Sequence, residues 1–324
     1  MNALPEAVAV VGAGRMGEGI ALAFAQAGVA VELIDIKARE PAQREDYFER
    51  VRANLRGQLD LLRQLGLLDT GQAEAVLRRV VLTGCDGAAL QDCPLVFEAV
   101  PEVLATKRET FAWLGTRLPA TALIASTTST FLVTELASMV ERPQRFLNAH
   151  WLNPAQLMPL VEVSHAADGD PQAVAWLMDV LRAIGKVPVR CAPSAGYIVP
   201  RIQALAMNEA ARLVEEGVAS AEDVDTAVRV GFGLRFSTLG LLEFIDWGGG
   251  DILHYASRYL AAALDPRFAA PAVIEANMRE GRNGLRDGEG FYDYAGVDVE
   301  AYKARRMGEL VERLRLAGLL PKVA

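Results

Sequence analysis

Short apolar runs alternate along this chain with small-residue and charged segments, and the alternation predicts its elements. "AVAVV" at 7–11 is a β-branched run, "GAGRMG" follows, "EGIALAFAQAG" from Glu18 to Gly28 has the spacing of a small-residue helix, and "AVELIDI" is again strand-like. Strand, glycine turn, helix and strand form the unit of a parallel sheet with right-handed crossovers. From about Pro41 to Arg79 the chain is rich in Arg, Glu, Gln and Leu, which predicts two charged amphipathic helices. Strand signals return at "VVLTG" (80–84), "PLVFEAV" (94–100), "ALIAST" (122–127), "RFLNAHW" (145–151) and "MPLVEVS" (158–164), mostly with helical segments between them. Beyond "KVPVRCAPSAGYIVPR" the chain reads as helices joined by Gly-rich turns. The expected fold class is α/β: a doubly wound parallel sheet over residues 1–192, then an all-helical domain over 193–324.

Composition narrows the partners. With 52% hydrophobic residues in 324, the chain can bury a large core and is long enough for two domains. A net charge of -8 argues against a nucleic-acid binder, which normally carries a basic face, and favours small molecules or protein partners, with a small-molecule substrate expected. Cys85, Cys93 and Cys191 form no CxxC pair and have no neighbouring histidines, so neither a disulfide framework nor a zinc or other metal site is expected. The N-terminus has no positively charged leader pattern and no uncharged run reaches the roughly 18 residues of a membrane span, so a cytoplasmic protein that does not enter the membrane is expected.

Gly12, Gly14 and Gly17 make G-x-G-x-x-G directly after a strand and at the opening of a helix. The first permits the tight turn, the second lets backbone approach a pyrophosphate, and the third lets the helix pack closely, with its N-terminus stabilising the anion. This predicts a Rossmann-type domain. Asp35 ends the second strand 18 residues after Gly17, where a carboxylate accepts hydrogen bonds from the adenosine ribose and repels a 2′-phosphate. NAD is therefore expected over NADP, although Lys37 and Arg39 follow closely. A flavin would use similar glycines.

The stretch "NAHWLNPAQLMPLVEVS" (148–164) places one of only three histidines twelve positions before a glutamate inside an apolar run. Together with "VVGAGRMGEGIA", "VFEAVPEVLATKRETF", "ASTTST", "HWLNPAQLMPLVEV", "SAGYIVPR" and "GEGFYDY", in that order over nearly the whole length, it resembles the L-3-hydroxyacyl-CoA dehydrogenase superfamily, which includes 3-hydroxybutyryl-CoA, carnitine and gulonate dehydrogenases and the lambda-crystallin group. The resemblance implies NAD as cofactor, a homodimer paired through its helical domain, and reversible oxidation of a 3-hydroxyacyl substrate. It implies His150 as the base for the hydroxyl proton, Glu162 as the carboxylate that orients it, and Ser129 as the hydroxyl that holds the substrate oxygen. The chemistry is intelligible: hydride leaves a carbinol carbon only if the O–H proton is taken up, and imidazole suits that task near neutrality. Met16 falls within the glycine motif, Glu102 and Lys107 match positions near the nicotinamide ribose, and Asn153 matches an asparagine close to the histidine. His165 and His254 match no motif and read as structural or surface residues.

Two departures bear on the substrate. The family pattern "GF-x-x-N-R" reads "GYIVPR" here, so Pro200 stands in place of an asparagine that helps bind substrate; Gln203, on nearly the same helical face, is the candidate replacement. Within "GFGLRFSTLGLLEFIDWGGGD", Arg235 stands where acyl-CoA enzymes are commonly neutral, and an arginine fork suits a free carboxylate, unless Glu243, Asp246 or Trp247 pairs with or covers it. The leading expectation is a short-chain L-3-hydroxyacyl-CoA such as 3-hydroxybutyryl-CoA. The alternatives are a free hydroxy acid held by Arg235, and a crystallin-like NAD-binding protein with little turnover.

Overall fold

Eight strands form one sheet in the order β3-β2-β1-β4-β5-β6-β7-β8. In chain order they are β1 (Ala7–Val11), β2 (Ala30–Asp35), β3 (Val80–Gly84), β4 (Leu95–Glu98), β5 (Leu123–Ser126), β6 (Phe146–Trp151), β7 (Leu160–Ser164) and β8 (Val187–Cys191). The computed structural model describes residues 4–322. All neighbouring strands run parallel except β6 and β7, which are antiparallel. The first six follow the dinucleotide-binding order, in which the chain reverses direction between β1 and β4 and opens a crevice at their carboxyl ends. Their runs are nearly continuously apolar because helices cover both faces.

Helix α1 (Arg15–Gln26) buries every residue from Gly17 to Ala25, which its run of Gly and Ala permits. Helices α2 (Pro41–Gln64) and α3 (Thr70–Arg78) are the two charged amphipathic helices that the composition predicts. Pro41 opens α2, where its missing N–H costs nothing, and Phe48, Val51, Leu55, Leu59 and Leu62 make the buried stripe. Asp69 and Gln72 close a capping box on α3. Helices α4 (Leu104–Gly115), α5 (Val133–Ala137) and α6 (Pro171–Ala183) complete the two layers. Phe24, Phe97 and Trp151 pack together in the core with ring centroids 5.3–6.3 Å apart.

The chain divides into two compact units, Met1–Leu205 and Ala206–Ala324, and the division falls inside α7 (Val199–Glu215). The start of α7 stays with the sheet because Glu162 on β7 accepts the backbone N–H groups of Ile198 and Val199 at 2.9 and 2.8 Å. The second unit is helical: α8 (Ala221–Ala227), a π-helical turn at Val228–Gly233, α9 (Leu234–Phe236), α10 (Leu241–Gly248), α11 (Gly250–Ala263), α12 (Ala272–Arg279) and α13 (Val299–Leu316). Buried Asp246 accepts bonds from the backbone of Phe291 and Tyr292 and from the Tyr294 hydroxyl, which fixes the "GFYDY" segment. Glu243 takes Arg306 and Tyr302 from α13, and Trp247 packs near Tyr302, so the charged C-terminal segment docks on α10. No helix among the described residues is long and apolar enough to cross a membrane.

Candidate active site

The carboxyl ends of neighbouring strands gather the candidate residues. Val11 pairs with Glu98, Glu98 with Ser126, and Ser126 with Asn148, so the segments after β1, β4 and β5 and the end of β6 lie along one edge. Gly12–Gly17 follows β1, Asp35 ends β2, Glu102 follows β4, Ser129 follows β5 and His150 sits in β6.

The reversal of β7 explains the twelve-residue spacing. His150 and Glu162 are direct cross-strand partners, and His150 Nδ1 lies 2.8 Å from Glu162 Oε2. The carboxylate accepts, so Nδ1 carries the hydrogen and the Nε2 lone pair is left to take a proton. Glu162 Oε1 receives the two N–H groups at the start of α7, which leaves the carboxylate satisfied on both oxygens although it is buried. The Tyr197 ring stacks on the imidazole with centroids 4.7 Å apart and 11° between planes. Its hydroxyl donates to the Thr128 carbonyl at 2.8 Å and accepts from Asn148 Nδ2 at 3.0 Å. Burial pushes the Tyr197 phenol well above its ordinary value, so it stays neutral and keeps donating. Tyr197 adopts φ +46°, a left-handed conformation uncommon outside glycine.

The hydroxyl turn after β5 is held from beneath. Glu102 accepts the Ser129 backbone N–H at 2.5 Å and the Thr128 hydroxyl at 2.9 Å, while Ser129 itself is exposed. Lys107, only 1% exposed, donates to both oxygens of Glu98 at 2.9 and 3.0 Å and lies 3.3 Å from Glu102. Glu98 also accepts the Ser126 hydroxyl at 2.5 Å and the Val100 N–H at 2.9 Å. Periodicity gives no reason to single out Glu98, Asn148 or Tyr197. A glutamate inside the apolar run "PLVFEAV" was the one signal for Glu98, because an unpaired carboxylate there would be costly.

The glycine turn fits a dinucleotide. Gly12 has φ +109°, and a Cβ there would meet the Ala99 carbonyl oxygen at 2.5 Å; one on Gly17 would meet the Gly12 carbonyl oxygen at 1.9 Å. Gly14, in contrast, faces open space, and no side chain caps the first turn of α1. Uncapped N–H groups beside free room make a cradle for a pyrophosphate. Met16 packs partly buried against the core behind this turn. A cavity of about 910 Å³ runs from Ala13 and Gly14, past Tyr47 and Asn54, to Asn153 and Pro154 in the loop after β6. Glu18 lines it, holding Asn54 and Gln58 of α2 at 3.1 and 3.0 Å, and burial raises its carboxyl above the usual range against those two bonds.

The remaining candidates lie in and after α7. Pro200 occupies the first turn of α7, and Gln203, on the following turn, is exposed. Arg235 is exposed on α9 in the second unit, with its guanidinium 5.0 Å from the Phe244 ring centroid and no ion-pair partner among the described residues. Glu243, Asp246 and Trp247 are occupied as described above and do not pair with it. His165 donates Nδ1–H to the Ala166 carbonyl.

Sheet order, glycine cradle and imidazole–carboxylate pair define the class: a nicotinamide-dependent oxidoreductase with a helical second domain. Residues 7–194 match the 3-hydroxyacyl-CoA dehydrogenase NAD binding domain and residues 196–294 the C-terminal domain of the same family. The chain belongs to the 3-hydroxyacyl-CoA dehydrogenase family, and its cofactor is NAD. It is 31% identical over 311 residues to a 5-formyl-3-hydroxy-2-methylpyridine 4-carboxylate 5-dehydrogenase of Mesorhizobium japonicum, covering 95% of this chain and 97% of that one. It is 32% identical over 286 residues to a probable 3-hydroxybutyryl-CoA dehydrogenase of Deinococcus radiodurans, covering 88% and 99%. Among solved structures it is similar to a 3-hydroxyacyl-CoA dehydrogenase of Archaeoglobus fulgidus, with a TM-score of 0.77, 32% identity and coverage of 98% and 100%.

Proposed function

We propose that this protein oxidises the secondary alcohol of a short-chain L-3-hydroxyacyl-CoA, reversibly, to the 3-keto thioester. The observation that carries the reading is the 2.8 Å contact of His150 Nδ1 with Glu162, at the strand edge that also carries the glycine cradle. NAD, when bound, accepts the hydride from the carbinol carbon. Ser129 holds the substrate oxygen, His150 Nε2 takes its proton, and Glu162 fixes the tautomer and stabilises the imidazolium. Gly12, Gly14, Gly17 and Met16 form the pyrophosphate turn, and Asp35 receives the adenosine ribose. Glu102 faces the nicotinamide ribose, with Lys107 positioning it through the Glu98 pair. Asn153 lines the cavity beside Gly14, whose volume suits an extended thioester tail. The working form is a homodimer, and a reducing cytoplasm suits the free Cys85, Cys93 and Cys191.

A second reading is favoured by two observations. Arg235 is exposed and unpaired among the described residues, and a relative matched over 97% of its length is named for a pyridine carboxylate rather than a thioester. In that reading Arg235 binds the free carboxylate of a hydroxy acid, assisted by Gln203 where Pro200 cannot. NADH formation with 3-hydroxybutyryl-CoA against free 3-hydroxy acids, with His150→Ala as control, separates the two. Faster turnover of the thioester supports the first; turnover of free acids alone, with a raised KM in Arg235→Ala, replaces it with the second. Tight NADH binding without turnover of any substrate removes both and leaves a binding protein.

A further inference from the structure

The carboxylate that should discriminate against a 2′-phosphate is already neutralised. Asp35 is 4% exposed at the end of β2, and Arg39 Nε lies 2.5 Å from its Oδ2, with a second guanidinium nitrogen 3.5 Å from Oδ1. The Arg39 guanidinium also lies 4.1 Å from the centroid of the Tyr47 ring, so the fork is held by a carboxylate and an aromatic ring. A second arginine stands behind it: Arg44 donates to the Arg39 carbonyl at 3.5 Å and to Asp86 at 2.9 Å, and its Nε has no partner among the described residues. Exposed Lys37 follows Asp35 by two residues. Lys37, Arg39 and Arg44 thus balance Asp35, Glu40 and Asp86 at this corner of the sheet.

A lone carboxylate here excludes NADP(H) because it repels the extra phosphate. With Arg39 against it, the repulsion at the ribose edge is cancelled, and the planar guanidinium is the group best suited to a phosphate. We infer that Arg39 gives this enzyme a second cofactor, NADP(H), by supplying a 2′-phosphate contact beside Asp35. The inference rests on the reading of Asp35 as the ribose-facing residue. With NADP the electron count is that of NAD: the carbinol carbon loses hydride to the nicotinamide and its O–H proton goes to His150. Arg39 also competes with the ribose hydroxyls of NAD for Asp35, so removing it leaves NAD binding intact or tighter.

Binding of NADH and NADPH to the full chain, followed by nucleotide fluorescence without substrate, tests this apart from turnover. NADPH is expected to bind within about tenfold of NADH in the unsubstituted protein, and Arg39→Ala to weaken NADPH by roughly ten- to a hundredfold, the range of a charge-assisted hydrogen bond, while NADH changes less than about threefold. Arg39→Lys, which keeps the charge and loses the fork, is expected to fall between. Competition by adenosine 2′,5′-bisphosphate against 5′-AMP should follow the same order. NADH binding with NADPH weaker by more than about a hundredfold, or equal weakening of both in Arg39→Ala, overturns the inference and leaves the NAD assignment standing. Failure of both dinucleotides to bind overturns the two together.

Discussion

Glu162 serves two masters at once, and its isosteric amide exposes the difference. In Glu162→Gln the amide oxygen keeps the Ile198 and Val199 N–H groups, so the amide NH₂ must face His150. Nδ1 then becomes the acceptor, the proton moves to Nε2, and the base is lost without a change of shape. The expected result is a fall in kcat/KM of roughly 10²–10⁴-fold with an unchanged melting profile; a loss below threefold would remove Glu162 from the mechanism. Tyr197→Phe keeps the ring on the imidazole and removes the two hydroxyl bonds, each worth about 1 kcal/mol. A kcat loss of about tenfold or less with KM for NAD unchanged is expected, whereas Tyr197→Ala, which also removes the stack, should lose more; equal losses would show the hydroxyl alone matters. The pairing of His150 with Glu162 was legible because both sit in a recognisable motif. Tyr197 and Asn148 were not, because their partners lie 69 and 49 positions away and only folding brings them together.

Most elements were written in the periodicity, and those that were not share a cause. β1 to β7 and the two charged helices follow from apolar runs and amphipathic stripes. β8 escapes because Pro188 and Arg190 interrupt its pattern, which an edge strand tolerates and a central one would not. The reversal of β7 was equally hidden, since an apolar strand reads the same in either direction. The loop that makes the reversal is held by buried Lys186, which donates to the carbonyls of Ala155 and Met158 at 2.7 and 2.9 Å, with its ammonium 5.5 Å from the Trp151 ring centroid. Burial lowers its pKa below the ordinary lysine value, and no carboxylate among the described residues offsets that. The native state therefore binds fewer protons than the unfolded chain between the two values, and the Lys186 contribution to stability rises with pH through that window. Lys186→Met should destabilise by about 1–3 kcal/mol, with the gap to the unsubstituted protein wider in alkaline than in neutral buffer. Thermal melts at several pH values check this, and a gap that narrows on raising the pH would mean the charge, not the pair of bonds, stabilises the loop.

At the scale of the whole molecule, the two units are unequally filled. From residue 206 onward the buried apolar side chains are Val224, Leu239, Ile274, Leu285 and Tyr294, whereas the sheet unit has dozens. Ile252, Tyr255 and Tyr259, spaced three and four apart on one face of α11, are 61%, 54% and 72% exposed. Met207 on α7 is 68% exposed. A helical unit that leaves such a stripe in water forgoes much of the burial that would stabilise it, and a second copy of the chain is the cover that the proposed homodimer supplies. A stable pair needs on the order of 1,000 Å² or more of buried surface, which demands several such residues acting together. Sedimentation at micromolar concentration should therefore give a dimer, and Tyr259→Glu should shift it toward monomer with a lowered melting temperature and intact NADH binding, because the glycine cradle lies in the other unit. A monomeric unsubstituted protein, or a Tyr259→Glu dimer as tight as the original, would place this stripe outside any interface; loss of helical circular dichroism in Tyr259→Glu would instead show that α11 is core to its own unit.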